Sequence, residues 1–171
     1  MGYTHYFAFL DKEGNRTNKI DKGKFALASD IIKNFAKELT KKGLILAGPL
    51  GDGSPIFGHK VIAFNGKGDD SCESIYIDRE GTFANNYRSA VQHYGYWYSV
   101  IGQAFCKTDR KPYDILVCLT LLTLKSVFKD QFEFHSDGLG RVGITKSAEW
   151  EKAYEVWNNF AKGTEFAHHL L

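Results

Sequence analysis

Cysteine is scarce and unpatterned. Cys72, Cys106 and Cys118 are the three in 171 residues, an odd number with no C-x-x-C pair. That argues against a disulfide framework and a structural zinc site and sets a reducing, cytoplasmic setting as the expectation. An excess of one charge is lacking too. Twenty-two Lys and Arg stand against 20 Asp and Glu, a formal net charge of +2, too weak a field to hold duplex nucleic acid by bulk attraction. The apolar run within residues 115–128 is broken by Thr120, Thr123, Lys125 and Ser126, and it is too short for the roughly 20 residues a bilayer span needs. The opening Met1-Gly2-Tyr3-Thr4-His5-Tyr6 has no basic region ahead of an apolar stretch. Tyr6 stands where a myristoylation signal wants Ser or Thr, so neither leader nor lipid anchor is expected and the chain should be soluble. Six histidines (His5, His59, His93, His135, His168, His169) match neither H-E-x-x-H nor H-x-x-E-H, so no metal site is expected and no cofactor is implied. There are no internal repeats and no low-complexity segment.

What is present is apolar periodicity. Residues 3–10 carry Tyr3, His5, Phe7 and Phe9 on one face of a strand and Thr4, Tyr6, Ala8 and Leu10 on the other; bulk on both faces predicts a central strand. After a polar stretch with the turn signal Gly14-Asn15, the apolar residues Phe25, Ala28, Ile32, Phe35 and Leu39 fall at 3,4,3,4 spacing. They predict an amphipathic helix from Asp21 to about Lys41, ended by Gly43. A short strand at 44–47 and the glycine-rich loop 48–55 come next. Strands at 56–64 and 73–77 follow, joined across Asn65-Gly66, a strong hairpin signal. Residues 79–104 are aromatic (Tyr94, Tyr96, Trp97, Tyr98) without a clean period and read as a loop or insertion.

Residues 112–128, apolar on almost every face, predict a helix buried in the middle of a domain, with Pro112 at its first position. A strand at 132–135 ends in Ser136-Asp137-Gly138. The last helix, 147–161, is capped by Ser147 and carries Trp150, Tyr154, Trp157 and Ala161 on one face; 162–171 reads as a frayed tail. The order β-α-β-β-β-α-β-α predicts an α+β fold, a single two-layer domain over 1–171 with a mainly antiparallel sheet and about three helices.

The stretch Phe105-Cys106-Lys107-Thr108-Asp109-Arg110-Lys111-Pro112-Tyr113-Asp114 reads as a cationic loop delivered onto the buried helix, with Lys111 on the cap side. Three cations at the positive end of a helix dipole are unfavourable unless something negative answers them. Asp109 and Asp114 can answer part of that charge, and an anionic ligand on the free N–H groups could answer the rest. Guanidinium and ammonium together suit phosphate. A solvated, capped helix entry is the plainer reading. Other patterns are weaker. Gly138-Leu139-Gly140-Arg141-Val142-Gly143 matches G-x-G-x-x-G, but the following helix starts too late and no second strand with a ribose-binding acid follows. Cys106 beside Lys107 could be a nucleophile paired with His135, His5 or His93, although a packed thiol is commoner. Glu73, with Asp69 and Asp70, could supply general-base chemistry or bind a cation, although carboxylates in a hairpin loop are usually just solvated, and Glu73 is the one nearest the strand. The 94–98 aromatics could stack a base or cover a partner.

Four pieces occur together: the opening residues 1–6; Phe64-Asn65-Gly66 followed by Glu73; the 105–114 stretch; and Ser136-Asp137-Gly138. Over about residues 1–138 the chain resembles, through them, a family of small proteins of phages and bacteria that carries no established activity. It departs from that pattern at Phe7, where the family opening has tryptophan. The residues carrying the resemblance are largely polar, and a core explains them poorly. Tyr3, His5, Asn65, Glu73, Lys107, Thr108, Arg110, Lys111, Asp114, Ser136 and Asp137 are therefore the expected ligand-binding set, converging where strand ends meet a helix start. Lys107, Arg110 and Lys111 would hold phosphate, and Tyr3, His5, Asn65 and Glu73 would read the remainder of a small phosphorylated or nucleotide-type ligand. In a phage setting, in the host cytoplasm, this suggests sequestration of a host immune nucleotide signal. An enzyme acting on such a ligand, with His5 or Glu73 as base and Arg110 steadying charge, is the second reading. A protein-interaction module using the 94–98 aromatics and the last helix is the third. The sequence names no catalytic residue and leaves homo-oligomerisation open.

Overall fold

The computed structural model describes residues 3–80, 103–139 and 147–166. Among them are strands β1 (Thr4–Phe9), β2 (Leu46–Ala47), β3 (Ile56–Phe57), β4 (Val61–Gly66), β5 (Ile75–Asp78), β6 (Gln103–Lys107) and β7 (Phe132–Ser136). The helices are α1 (Lys22–Lys41), α2 (Asp114–Phe128) and α3 (Ala148–Ala161). The architecture is α+β, with two antiparallel sheets rather than one. The expected aromatic block 94–98, most of the glycine-rich match and the end of the tail lie outside the described residues.

β1 is the central strand of the first sheet, as its two bulky faces require. It pairs antiparallel with β6 on one side and β7 on the other, with His5 opposite both Cys106 and Ser136. The second sheet is built on β4. β2 pairs with its end, and β3 and β5 both pair along Ile62 and Ala63. The expected strand 56–64 is thus two strands. Gly58 N–H donates to Val61 O at 2.9 Å and folds the chain back on itself.

α1 begins and ends as its sequence indicates. Asp21 Oδ1 accepts from Lys24 N–H at 2.8 Å, a helix cap. At the other end Leu44 N–H reaches Leu39 O with Gly43 at φ +103, a reversal that glycine reaches without strain. α2 is enclosed by α1, α3 and β7, with Leu116, Leu119, Leu121, Leu122 and Leu124 fully buried. Its buried hydroxyls are satisfied on the helix itself: Thr120, Thr123 and Ser126 donate to the carbonyls of Leu116, Leu119 and Leu122 at 2.7–2.9 Å. Trp150 and Trp157 of α3 are also fully buried, so this helix face belongs to the core and is not a working surface.

Two of the boundaries that differ from the sequence expectation bear on the site. Residues 105–107 are the end of strand β6, not loop. The helix starts at Asp114 with Tyr113 as its cap residue. Lys111 and Pro112 lie in a preceding turn, where Lys111 N–H donates to Thr108 O and Asp114 N–H to Lys111 O. No helix among the described residues is long and apolar enough to cross a membrane.

Candidate functional site

The starts of β1 and α2 and the ends of β6 and β7 meet at one end of the first sheet, and the candidate residues gather there. At the centre is a buried polar knot. Asp114, in the first turn of α2, accepts on Oδ1 from Thr108 Oγ1 at 2.5 Å and from His5 Nε2 at 2.6 Å. Its Oδ2 faces Cys118 Sγ at 3.7 Å, one helical turn on. All four residues are buried. The carboxylate also faces the positive end of the α2 dipole, so the negative group that this helix start needs is Asp114 itself. Nε2 donates to a carboxylate, which leaves Nδ1 on the far side of the ring, buried and without a partner. Rings enclose the imidazole, Tyr3 edge-on at 5.1 Å between centroids and Trp150 at 5.8 Å.

A second set of bonds ties the neighbouring loops to this knot. Asn65 uses its whole amide: Oδ1 accepts from Gly66 and Cys72 N–H, and Nδ2 donates to Cys72 O and Ser74 Oγ. It closes the β4–β5 connection. Glu73 clamps β6 by exchange: its N–H donates to Lys107 O at 3.0 Å, and its Oε2 accepts from Lys107 N–H at 2.8 Å. Its carbonyl accepts from Tyr113 OH at 2.6 Å. Burial raises the Glu73 carboxyl above its ordinary value, against the opposing pull of the Lys107 amide and charge. Asp137 brackets Thr4 in the same way, accepting its N–H at 2.9 Å and donating back to its carbonyl at 3.1 Å. Ser136 Oγ accepts Trp150 Nε1–H at 2.8 Å. Tyr3 OH meets Ser147 Oγ at 3.1 Å, which explains why the α3 cap residue makes no side-chain cap bond. Gly138 is obligatory here: a Cβ would strike the Tyr3 hydroxyl, Ser147 Oγ and Trp150 Cδ1.

The cations are disposed differently. Arg110 is half exposed, 3.4 Å from Glu149 and 4.6 Å above the Tyr3 ring. Lys111 Nζ donates to Asp69 O at 2.8 Å. The turn carrying them is strained: Asp109 and Arg110 are successive left-handed residues, at φ +50 and +56. The conformation is tolerable for Asp and costly for Arg.

No family model, curated protein or solved structure matches the chain. The chemistry of the site is therefore read from its own groups. Cys106 is not an activated nucleophile. It is fully buried, its Sγ donates to Glu73 O at 3.3 Å, and burial, with Glu73 and Asp114 beside it, pushes its thiol well above the ordinary range. Cys118 is held protonated in the same way, by burial first and by Asp114 second. The ligand atoms of His5, Asp114 and Cys118 lie within 4.8 Å of one another. Yet Nε2 and Oδ1 at 2.6 Å are hydrogen-bonded, whereas two ligands of one tetrahedral zinc stand ~3.3 Å apart.

The geometry thus brings the eleven expected residues to one region and divides them. His5, Asn65, Thr108, Asp114 and Ser136 face inward and bond to one another or to backbone; Lys107, Arg110 and Lys111 rim the same end of the sheet. The larger of the two described cavities, about 780 Å³, lies elsewhere, an open apolar trough between α1 and residues 44–46, Pro55 and Phe57.

Proposed function

We propose that this protein binds a small phosphorylated, nucleotide-type ligand at the rim formed by Lys107, Arg110 and Lys111, and that it holds the ligand without turning it over. The observation that supports this best is the strained turn. Two successive non-glycine residues are kept in the left-handed region, and the second presents a half-exposed guanidinium. Such strain persists only where the surroundings over-determine it, and it concentrates at ligand sites. The surroundings here are the His5–Thr108–Asp114 knot and the Glu73 clamp, which fix both ends of the turn from beneath. In this reading those inward residues position the rim and do not touch the ligand. A holding role is favoured over catalysis because the acid–base pair His5–Asp114 is sealed off, at 0% and 1% exposure. The phage setting implied by the family resemblance makes sequestration of a host nucleotide signal the biological role we assign.

The test is titration calorimetry against a panel of mononucleotides and cyclic dinucleotides, followed by heat denaturation and mass analysis of the released ligand. Tight binding with intact ligand returned is expected, and Arg110→Ala should weaken it by about 1–3 kcal/mol, roughly 5- to 150-fold. Altered ligand would make the protein an enzyme. Absence of binding across the panel would end the reading.

A further inference from the structure

The outer face of the first sheet carries a row of rings that the site above does not use. Tyr6 of β1 stands directly opposite Phe105 of β6 and His135 of β7, so the three rings lie side by side across the strands. Tyr6 and Phe105 centroids are 6.0 Å apart. Tyr6 and His135 are 6.3 Å apart, with planes only 24° from parallel. Tyr6 is 38% exposed, His135 is exposed and Phe105 half-buried. Cross-strand packing alone accounts for rings in contact. It does not account for the cavity of about 250 Å³ at their side, lined by Tyr6, Ala8, Arg16, Glu133 and His135. Arg16 Nε and Glu133 Oε1 stand 4.0 Å apart in its lining. One row along, strand alternation puts Lys107 on the same face as Phe105.

We propose that this face is a nucleobase platform: a purine base stacks on Tyr6 and His135, its edge meets Glu133 and Arg16, and its phosphate lies toward Lys107. The inference rests on the nucleotide reading and specifies where the base goes. Every base has a π-face, so aromatic rings on an open antiparallel sheet stack bases readily. A carboxylate beside a guanidinium adds an acceptor and a donor for a base edge. Guanine offers both complements, its N1–H and amino group to Glu133 and its O6 to Arg16. The phosphate would lie at the end of the sheet nearest the rim.

The experiment compares GMP with ribose 5-phosphate by calorimetry on the intact chain. GMP should bind roughly 5- to 150-fold more tightly, the gain expected from stacking one base. Tyr6→Leu and His135→Ala should each remove most of that gain while leaving ribose 5-phosphate affinity unchanged and lowering melting temperature by no more than the few degrees that lost cross-strand ring contacts cost. Equal affinity of the two probes for the wild type would overturn the platform. So would variants that bind GMP as the wild type does. If the two probes bind equally and Arg110→Ala weakens both, the platform falls alone and the phosphate rim stands. If neither probe binds, the platform falls together with the nucleotide reading.

Discussion

Asp114→Ala tests the buried knot most directly. The carboxylate takes a hydrogen bond from Thr108 and another from His5, both with no exposure to water. Removing it leaves two donors without a partner, at about 1–3 kcal/mol each. The first turn of α2 also loses its only acid, worth about 0.3–1 kcal/mol. These sum to about 2–7 kcal/mol, and the cost of removing one partner from a buried pair elsewhere, about 3–5 kcal/mol, sets the expected value. Against a typical stability of about 5–15 kcal/mol this is large, and at about 2–4 °C per kcal/mol for a chain of this length it lowers Tm by about 6–20 °C. Urea melts followed by tryptophan fluorescence measure it, with the slope against denaturant unchanged. A triple variant, His5→Phe with Thr108→Val and Asp114→Leu, should recover most of the loss, because it leaves only the weak Cys118 S–H without its acceptor. A single-variant cost under about 1 kcal/mol, or a triple variant no better than the single one, would refute the knot as the element that holds β1, β6 and α2 together.

Four further outcomes are expected. Trp157→Ala, at a fully buried site packed on Phe35 and Phe160, should cost about 3–5 kcal/mol in thermal melts and leave ligand affinity intact. Gly138→Ala should lower melting temperature clearly, since the new methyl group has no room between Tyr3, Ser147 and Trp150; a neutral effect would mean that the β7–α3 corner is looser than drawn. Burial pushes the Tyr3 phenol up to about 12 from its ordinary 10.0. The folded state therefore keeps a proton that the unfolded chain sheds, and this contribution is whole below pH 10 and lost as pH rises toward 12. Alkaline melts of Tyr3→Phe should lack that component of the decline. Arg110→Gly should match the wild type in stability or exceed it by about 0.5–1 kcal/mol, because glycine takes a positive φ freely, yet lose affinity as Arg110→Ala does in calorimetry.

The parts of the fold that were legible are those set by local pattern. The 3,4,3,4 spacing from Phe25 to Leu39 gave α1 nearly to the residue, and bulk on both faces of residues 3–10 marked β1 as central. β6 was missed because its residues were read for charge. Ala104 and Cys106 point inward and Phe105 outward, but the stretch leading into them is aromatic without a turn signal, and the cations that follow drew the boundary too early. Within the site, the gathering of polar residues was legible and their orientation was not. His5 and Asp114 are 109 positions apart, and nothing local to either shows that they bond to each other rather than face a ligand.

This difference changes what the cations mean. Read along the chain, Lys107, Arg110 and Lys111 crowd a helix dipole, and an outside anion is the natural answer to their charge. In three dimensions Asp114 already occupies the dipole's positive end, and the turn at 108–113 lifts Arg110 toward Glu149 and Lys111 toward the Asp69 carbonyl. Helix electrostatics therefore no longer demands a guest. What does need explanation is the left-handed backbone under Arg110, which costs about 1–3 kcal/mol, against about 0–1 kcal/mol from the exposed pair with Glu149 and about 0.5–1 kcal/mol from its place over the Tyr3 ring. Under the proposed function a phosphate at the rim is the further partner, one that a guanidinium's fork of donors fits.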